Sequence, residues 1–251
     1  MWATTKKRGE KMLNFGLTDI GQVRKKNQDY YYISDDGCIN ILADGMGGYA
    51  GGEVASKLAT LSAKAYIEEH FDKNNEYEKQ EILDVIKNAM EYANSEVHKK
   101  AQEEKELELM GTTLEICLIY KDKMFIGHVG DSRVYRLRQG IIRKLTKDDS
   151  YVQKLVEDGT ITKEEAKNHP KKNMLVKALG CETNLEVNVF YKKFLTDDIV
   201  LICSDGLTNM VSEEQIYNII SNDINQAAKD LVSEANKNGG LDNITLIIIK
   251  K

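Results

Sequence analysis

Several features that would identify common protein classes are scarce or missing in this sequence of 251 residues. It has one proline and four cysteines, and the cysteines are too far apart to suggest a zinc site or a disulfide framework. No uninterrupted apolar run approaches the roughly 18 residues of a membrane span. The first eleven residues contain no apolar segment that fits a signal peptide. We therefore expect a cytoplasmic protein with reduced thiols.

Basic charge is not in excess either. The chain has 35 Lys and Arg against 40 Asp and Glu, a formal net charge of −5, which argues against a generic nucleic-acid binder. It contains no Gly-Lys pair and hence no P-loop, and no GxSxG, HExxH or Cys-x5-Arg motif. The last absence excludes the cysteine-phosphatase mechanism.

Hydrophobic periodicity predicts strands at both ends of the chain and helices grouped between them. Strands are predicted at 13–17, 30–33, 39–43, 198–203 and 244–249 and as hairpins within 112–145; helices are predicted from residue 53 and at 77–102, 150–156, 162–167, 212–220 and 223–237. Connections this short favour antiparallel pairing. We read residues 12–251 as a single domain, and residues 1–11 as an N-terminal extension that we expect to be disordered.

Aspartates recur where predicted strands meet loops. Asp44, Asp131 and Asp205 each follow an apolar run, whereas Asp29 and Asp242 each precede one. Several carboxylates on one edge would repel one another unless a cation neutralised them. Oxygen ligands without His or Cys suit Mg²⁺ or Mn²⁺. A single Asp-Gly is more simply a turn, and spacing alone does not establish that the five side chains converge.

Two neighbours of these aspartates can contribute to the same chemistry. Gly45 lets the backbone approach closely, so its carbonyl can join a ligand set. Arg24 can present a planar guanidinium to a phosphate group, although a solvated surface arginine explains it equally. The stretch 45–50 also matches the dinucleotide pattern GxGxxA. Asp44 beside a pyrophosphate and the hairpin pattern downstream both count against that alternative.

Seven motifs, taken in order, resemble the bacterial branch of the metal-dependent serine/threonine protein phosphatases of type 2C. They are TDIGQVRKKNQD (18–29), ADGMGG (43–48), GTT (111–113), VGDSR (129–133), NMLVKALG (173–180), CSDGL (203–207) and LDNIT (241–245). The resemblance implies an α+β fold, a four-layer α-β-β-α sandwich of two mainly antiparallel sheets flanked by helices. It also implies a small flap at about 146–170.

The resemblance also implies a metal centre with two Mn²⁺ or Mg²⁺ ions. By the family pattern Asp44 bridges both ions and the Gly45 carbonyl binds one of them, while Asp205 and Asp242 bind the other. Asp131 corresponds to the position that holds a third, weaker ion.

Two further residues carry family roles. Arg24 corresponds to the arginine that binds phosphate, and Asp29 would orient metal-bound water. The implied activity is hydrolysis of phosphoserine and phosphothreonine by a two-metal-activated hydroxide. The implied partners are phosphorylated proteins, including a bacterial Ser/Thr kinase, with no nucleic acid and no membrane segment, and the expected state is a monomer.

The sequence departs from the family pattern at four positions. Gln28 replaces the usual Glu and Met46 a histidine, while Asp149 and Lys177 replace the usual His and Arg of the DHS and TRALG segments. The last two changes bear on the flap and on substrate preference. Gln28 leaves open a second hypothesis, a protein of this fold that binds a partner without turnover.

Overall fold

Two β-sheets lie face to face at the centre of the computed structural model, which describes residues 12–47 and 51–251. The first sheet contains, in spatial order, Leu13–Asp19 (β1), Ile244–Lys250 (β11), Ile199–Cys203 (β10), Arg133–Arg138 (β7) and Ile141–Lys144 (β8). The second contains Asp29–Ile33 (β2), Ile39–Met46 (β3), Leu114–Tyr120 (β5), Lys123–Val129 (β6) and Asn188–Lys193 (β9), with Gly111–Thr112 (β4) paired to β3. Every pairing between these strands is antiparallel, as the short connections predict.

Helices cover the outer face of each sheet. Gly51–His70 (α1) and Lys79–Glu103 (α2) pack on the second sheet, while Glu213–Asn222 (α6) and Ile224–Lys237 (α7) pack on the first. Shorter helices are Tyr151–Glu157 (α3), Lys163–Lys167 (α4) and Asp205–Thr208 (α5), and Lys105–Leu107 forms a 3-10 turn. In the described ranges, no helix is both long and apolar enough to cross a membrane.

Three separate apolar cores hold these layers together. One lies between α1, α2 and the second sheet, one between α6, α7 and the first sheet, and one between the two sheets. Strand β11 shows how the sequence specifies this arrangement. Its Leu246 and Ile248 face the helices, whereas Ile247 and Ile249 face the other sheet. A strand that is buried on both faces must be apolar throughout, and the predicted four-layer sandwich is confirmed.

The order of strands brings distant parts of the chain together. Strand β1 pairs with β11 along its whole length, from Leu13 opposite Lys250 to Asp19 opposite Ile244. A capping residue fixes the start of α6, where the Ser212 hydroxyl accepts from the Gln215 amide.

Some expectations differ from the structure. Strand β9 was not predicted, because an exposed edge strand carries few apolar residues. The flap at 146–170 contains α3 and α4, neither of which has a fully buried residue. A dinucleotide-binding fold needs parallel βαβ units, so the GxGxxA alternative is wrong. The expected disordered extension, residues 1–11, lies outside the described residues.

Candidate active site

Asp29 and Asp44 are direct neighbours across the pairing of β2 with β3. The backbone of Asp44 is fixed by the GTT segment. Its N–H donates to Thr113 Oγ1 at 2.9 Å, and its carbonyl accepts from the Thr113 N–H and from Thr112 Oγ1, also at 2.9 Å. Asp29 is buried, and its Oδ2 accepts from Ser204 Oγ at 2.8 Å. Since Ser204 follows β10, this bond joins the two sheets.

Asp205 and Asp242 lie at the corresponding edge of the first sheet. Asp205 begins α5 directly after β10, and Asp242 precedes β11 by two residues. Because β10 and β11 are antiparallel neighbours, the end of one strand lies beside the start of the other. The approach is close at Gly206, where an added Cβ would lie 1.9 Å from the Asn243 carbonyl oxygen. Only glycine fits there.

Asp131 reaches the site from the connection between β6 and β7. The preceding residue, Gly130, has φ +110°, a backbone conformation that favours glycine. The following residue, Ser132, is buried, and its hydroxyl lies 2.9 Å from Thr113 Oγ1. The loop that carries Asp131 is therefore tied to the segment that fixes Asp44.

Electrostatic interactions between the carboxylates indicate that the five side chains share one region. Burial raises the pKa of Asp44 well above its usual value, and the charges of Asp29, Asp205, Asp131 and Asp242 raise it further, in that order. When carboxylates disfavour one another's ionisation in this way, a bound cation is needed to keep them all ionised. The sequence alone did not establish this convergence.

Three of the neighbours are affected in the same way. Burial, and then the charges of Asp205 and Asp242, raise the pKa of Asp29 to about 7. Burial and then the charge of Asp205 raise the pKa of Asp131 to about 8. Burial and then the charge of Asp242 raise the pKa of Asp205 to about 6.

Arg24 lies at this cluster. Its Nη2 donates to Asp242 Oδ2 at 2.7 Å, and its side chain is 49% exposed. Asn243 holds the loop on which Arg24 lies: its Nδ2 donates to the carbonyls of Ile20 and Lys26, and its Oδ1 accepts from the Gln28 N–H, all at 2.9 Å. Asn243 stands in the LDNIT motif (241–245), but this structural role is not evident from the sequence.

The residues present suit hard cations. Among the residues described, Asp29 Oδ1 and Asp205 Oδ1 are buried and have no hydrogen-bond partner, and unsatisfied buried carboxylate oxygens are costly without a cation. Over the described ranges, no three His, Cys, Asp or Glu side chains are already placed to hold a metal ion together. Two carboxylates already have protein partners: Asp242 bonds to Arg24 and to the Asn243 N–H, and Asp205 Oδ2 bonds to Asn209.

Gly45 and Gln28 lie beside the cluster. An added Cβ on Gly45 would lie 2.0 Å from the Gly52 carbonyl oxygen, so this position also requires glycine. The Gly45 N–H donates to the Gln28 carbonyl at 3.1 Å. The side chain of Gln28 lies against Gly52, at the start of α1, where an added Cβ would come within 2.8 Å of it.

Known proteins resemble this chain in both sequence and fold. The sequence profile of the family described as Protein phosphatase 2C matches residues 22–242. The chain is 39% identical over 240 residues to the serine/threonine phosphatase stp of Listeria monocytogenes, covering 93% of this chain and 94% of that protein. It also resembles the crystal structure of serine/threonine phosphatase Stp1 from Staphylococcus aureus, with a TM-score of 0.88, 32% identity and coverage of 100% of this chain and 99% of that one.

A third relative contains metal. The catalytic domain of the serine/threonine protein phosphatase PstP, crystallised in complex with two manganese ions, matches with a TM-score of 0.84 and 34% identity, covering 95% of this chain and 97% of that one. The chain therefore belongs to the protein phosphatase 2C family of metal-dependent serine/threonine protein phosphatases.

Proposed function

We propose that this chain hydrolyses phosphoserine and phosphothreonine side chains of proteins at the five-carboxylate cluster. Asp44 and the Gly45 carbonyl, with Asp205 and Asp242, would hold two Mn²⁺ or Mg²⁺ ions, and Asp131 would hold a third, weaker one. The observation that carries the proposal is the convergence of five carboxylates at one edge of the two sheets, where Asp29 lies directly opposite Asp44 and the charges of four neighbours raise the pKa of Asp44. The two-manganese complex of the related PstP domain supports it.

Two divalent cations, when bound, supply a hydroxide nucleophile at neutral pH and offset charge on the phosphoryl oxygens. The remaining steps belong to the chain's own residues. Ser204 fixes Asp29 Oδ2, which leaves Oδ1 to accept a hydrogen bond from the attacking water and to orient it. Arg24 would bind the phosphoryl oxygens through its planar guanidinium.

The substrate class and setting follow from the same proposal. The substrates would be phosphorylated proteins, and they would include a Ser/Thr kinase that the phosphatase opposes in the cytoplasm. We propose that the chain acts as a monomer. The net charge of −5 argues against nucleic acid as a partner. Phosphopeptide abundance in cells with and without this chain would identify the substrates.

Metal removal tests the proposal directly. We expect hydrolysis of a phosphothreonine peptide with Mn²⁺ or Mg²⁺, and loss of nearly all turnover in excess chelator. Circular dichroism in the same chelator should show that the fold persists, since the three apolar cores do not depend on the carboxylates. Folded protein with no turnover in either metal would instead favour the binding protein without catalysis.

Arg24→Ala tests phosphate binding. We expect inorganic phosphate to inhibit the variant about tenfold more weakly, the scale for one charge-assisted hydrogen bond. The affinity for Mn²⁺, measured by calorimetry, should not fall, because the substitution also releases Asp242 from its ion pair. Lys25→Ala, an exposed neighbour, is the matched control and should change neither value. Parallel losses of phosphate and metal affinity in Arg24→Ala would contradict the assigned role.

A further inference from the structure

A buried charged pair lies where β5 and β6 meet the flap. Glu115 and His128 are direct partners across these strands. Their side chains are 0% and 2% exposed, and His128 Nδ1 lies 2.5 Å from Glu115 Oε1. Neither residue belongs to the carboxylate cluster, and neither was assigned a role from the sequence.

Hydrogen bonding indicates which protons the imidazole carries. Its Nε2 lies 2.7 Å from the Lys147 carbonyl oxygen, which can only accept, so Nε2 carries a hydrogen. Burial alone would lower the pKa of His128, but the Glu115 carboxylate reverses this effect and raises it to about 9. One ring nitrogen therefore bonds to β5 and the other to the flap.

The part of the flap that His128 contacts is also bonded to the active-site loop. Asp149, two residues after Lys147, has Oδ2 3.8 Å from His128 Nε2. The Asp149 N–H donates to the Gly130 carbonyl at 2.7 Å, and the Gly130 N–H donates to Asp149 Oδ2 at 3.2 Å. Asp131 is the next residue in the chain. The pair is thus connected to the Asp131 loop through its hydrogen bond to Lys147, the short stretch of flap backbone from Lys147 to Asp149, and the two hydrogen bonds between Asp149 and Gly130.

Stability alone is a weak reason for such a pair. Buried ion pairs often contribute no more than apolar side chains of the same volume. Glu115 Oε2 has no hydrogen-bond partner among the residues described, which adds to the cost. Because both side chains are buried, neither can touch a phosphoryl group, so a catalytic role is excluded and a positioning role remains.

We propose that His128, held by Glu115, is a positioning residue that fixes the base of the flap and, through Asp149 and Gly130, the loop that carries Asp131. The chain that follows the flap returns to the site, since Thr112, which bonds to the Asp44 carbonyl, pairs with Leu179. A displaced flap would therefore affect the binding of a protein substrate more than that of a small phosphate ester. This consequence rests on the phosphatase function proposed above.

The test compares His128→Ala with Cys117→Ala. Cys117 is buried two residues along β5, in the core between the sheets, and so its truncation reports the effect of a cavity alone. Hydrogen exchange should increase about tenfold in residues 147–176 of His128→Ala, the scale for losing one hydrogen bond from a charged donor. It should not change there in Cys117→Ala.

Kinetics give a second readout. In His128→Ala, KM for a phosphothreonine peptide should rise several-fold more than KM for p-nitrophenyl phosphate. Glu115→Gln keeps the side-chain volume and should shift both measurements in the same direction by less, so it serves if His128→Ala does not fold.

The outcomes separate the two proposals. The positioning role is overturned if hydrogen exchange at 147–176 is unchanged in folded His128→Ala and in folded Glu115→Gln. It is also overturned if KM rises equally for the peptide and for p-nitrophenyl phosphate. Exchange needs no turnover, so it decides this role even if the wild-type protein proves inactive, a result that would count only against the phosphatase function.

Discussion

Asp205→Asn is expected to lower kcat for a phosphothreonine peptide by about a thousandfold or more, because it removes the charge of a carboxylate that we propose to bind the catalytic cations. The side chain keeps its size, and asparagine can still accept from Asn209 Nδ2. Steady-state rates with saturating Mn²⁺ measure the effect. Asp197→Asn, a surface substitution remote from the cluster, is the control and should retain wild-type rates. Wild-type activity in Asp205→Asn would show that the metal assignment is wrong.

Although Asp205→Asn should lower activity, we expect it to increase the stability of the metal-free protein. Folding raises the pKa of Asp205 from its ordinary 3.8 to about 6, so the ionised group destabilises the folded state at pH 7. Removing its charge should increase the free energy of unfolding in chelator by about 1–3 kcal/mol.

The size of this stabilisation depends on pH. As pH falls through about 6 the wild-type carboxyl becomes protonated in the folded state, so the advantage of Asp205→Asn should shrink and then disappear below about pH 4. Chemical unfolding in chelator at several pH values measures this. With Mn²⁺ present the wild type should again be the more stable protein, because a cation that binds only the folded state stabilises it. A variant less stable than wild type in chelator at pH 7 would contradict the repulsion described here.

Gly206→Ala is expected to destabilise the protein by about 4 kcal/mol or more, which is at the upper end for single substitutions. The new Cβ would lie 1.9 Å from the Asn243 carbonyl oxygen and 2.9 Å from its carbon. Both are backbone atoms of the neighbouring loop, so no side chain can move aside. The loop would have to shift, and Asp242 would move with it. Activity should therefore fall even at temperatures where the variant stays folded.

Gly159→Ala is the matched control for this prediction. Gly159 has φ +70°, but an added Cβ meets nothing within 4 Å, so only the backbone strain of about 1–2 kcal/mol remains. Thermal unfolding of the two variants separates strain from collision. Equal losses in the two would mean that the approach of Gly206 to Asn243 is not required.

The sequence predicts the layers well because burial on two faces leaves a clear pattern. Strand β10 is apolar throughout and β11 is apolar from Leu246 to Ile249. Asp205 and Asp242 stand near the ends of these strands, so both the strands and the carboxylates could be located. Strand β9 could not be located, since Val189 and Phe190 are its only apolar residues other than a tyrosine.

Long-range contacts of the site were harder to predict. The ion pair of Arg24 with Asp242 joins residues 218 positions apart, and no local pattern encodes it. The contacts of Asn243 with residues 20–28 likewise join residues that are far apart in the sequence. Glu115 and His128 were hidden for a different reason: each stands in an apolar strand, and only the register of β5 against β6 shows that they face each other.

The pairing of β1 with β11 has a consequence for folding. Asp29 and Asp44 lie in the N-terminal part of the chain, whereas Asp205 and Asp242 are held by strands of the C-terminal part, and β11 must insert between β1 and β10 before all four can meet. Such non-local contacts carry a large loop-closure entropy and form slowly. During synthesis the cluster therefore cannot assemble until residues 244–250 have left the ribosome, so no shorter nascent chain can carry the site.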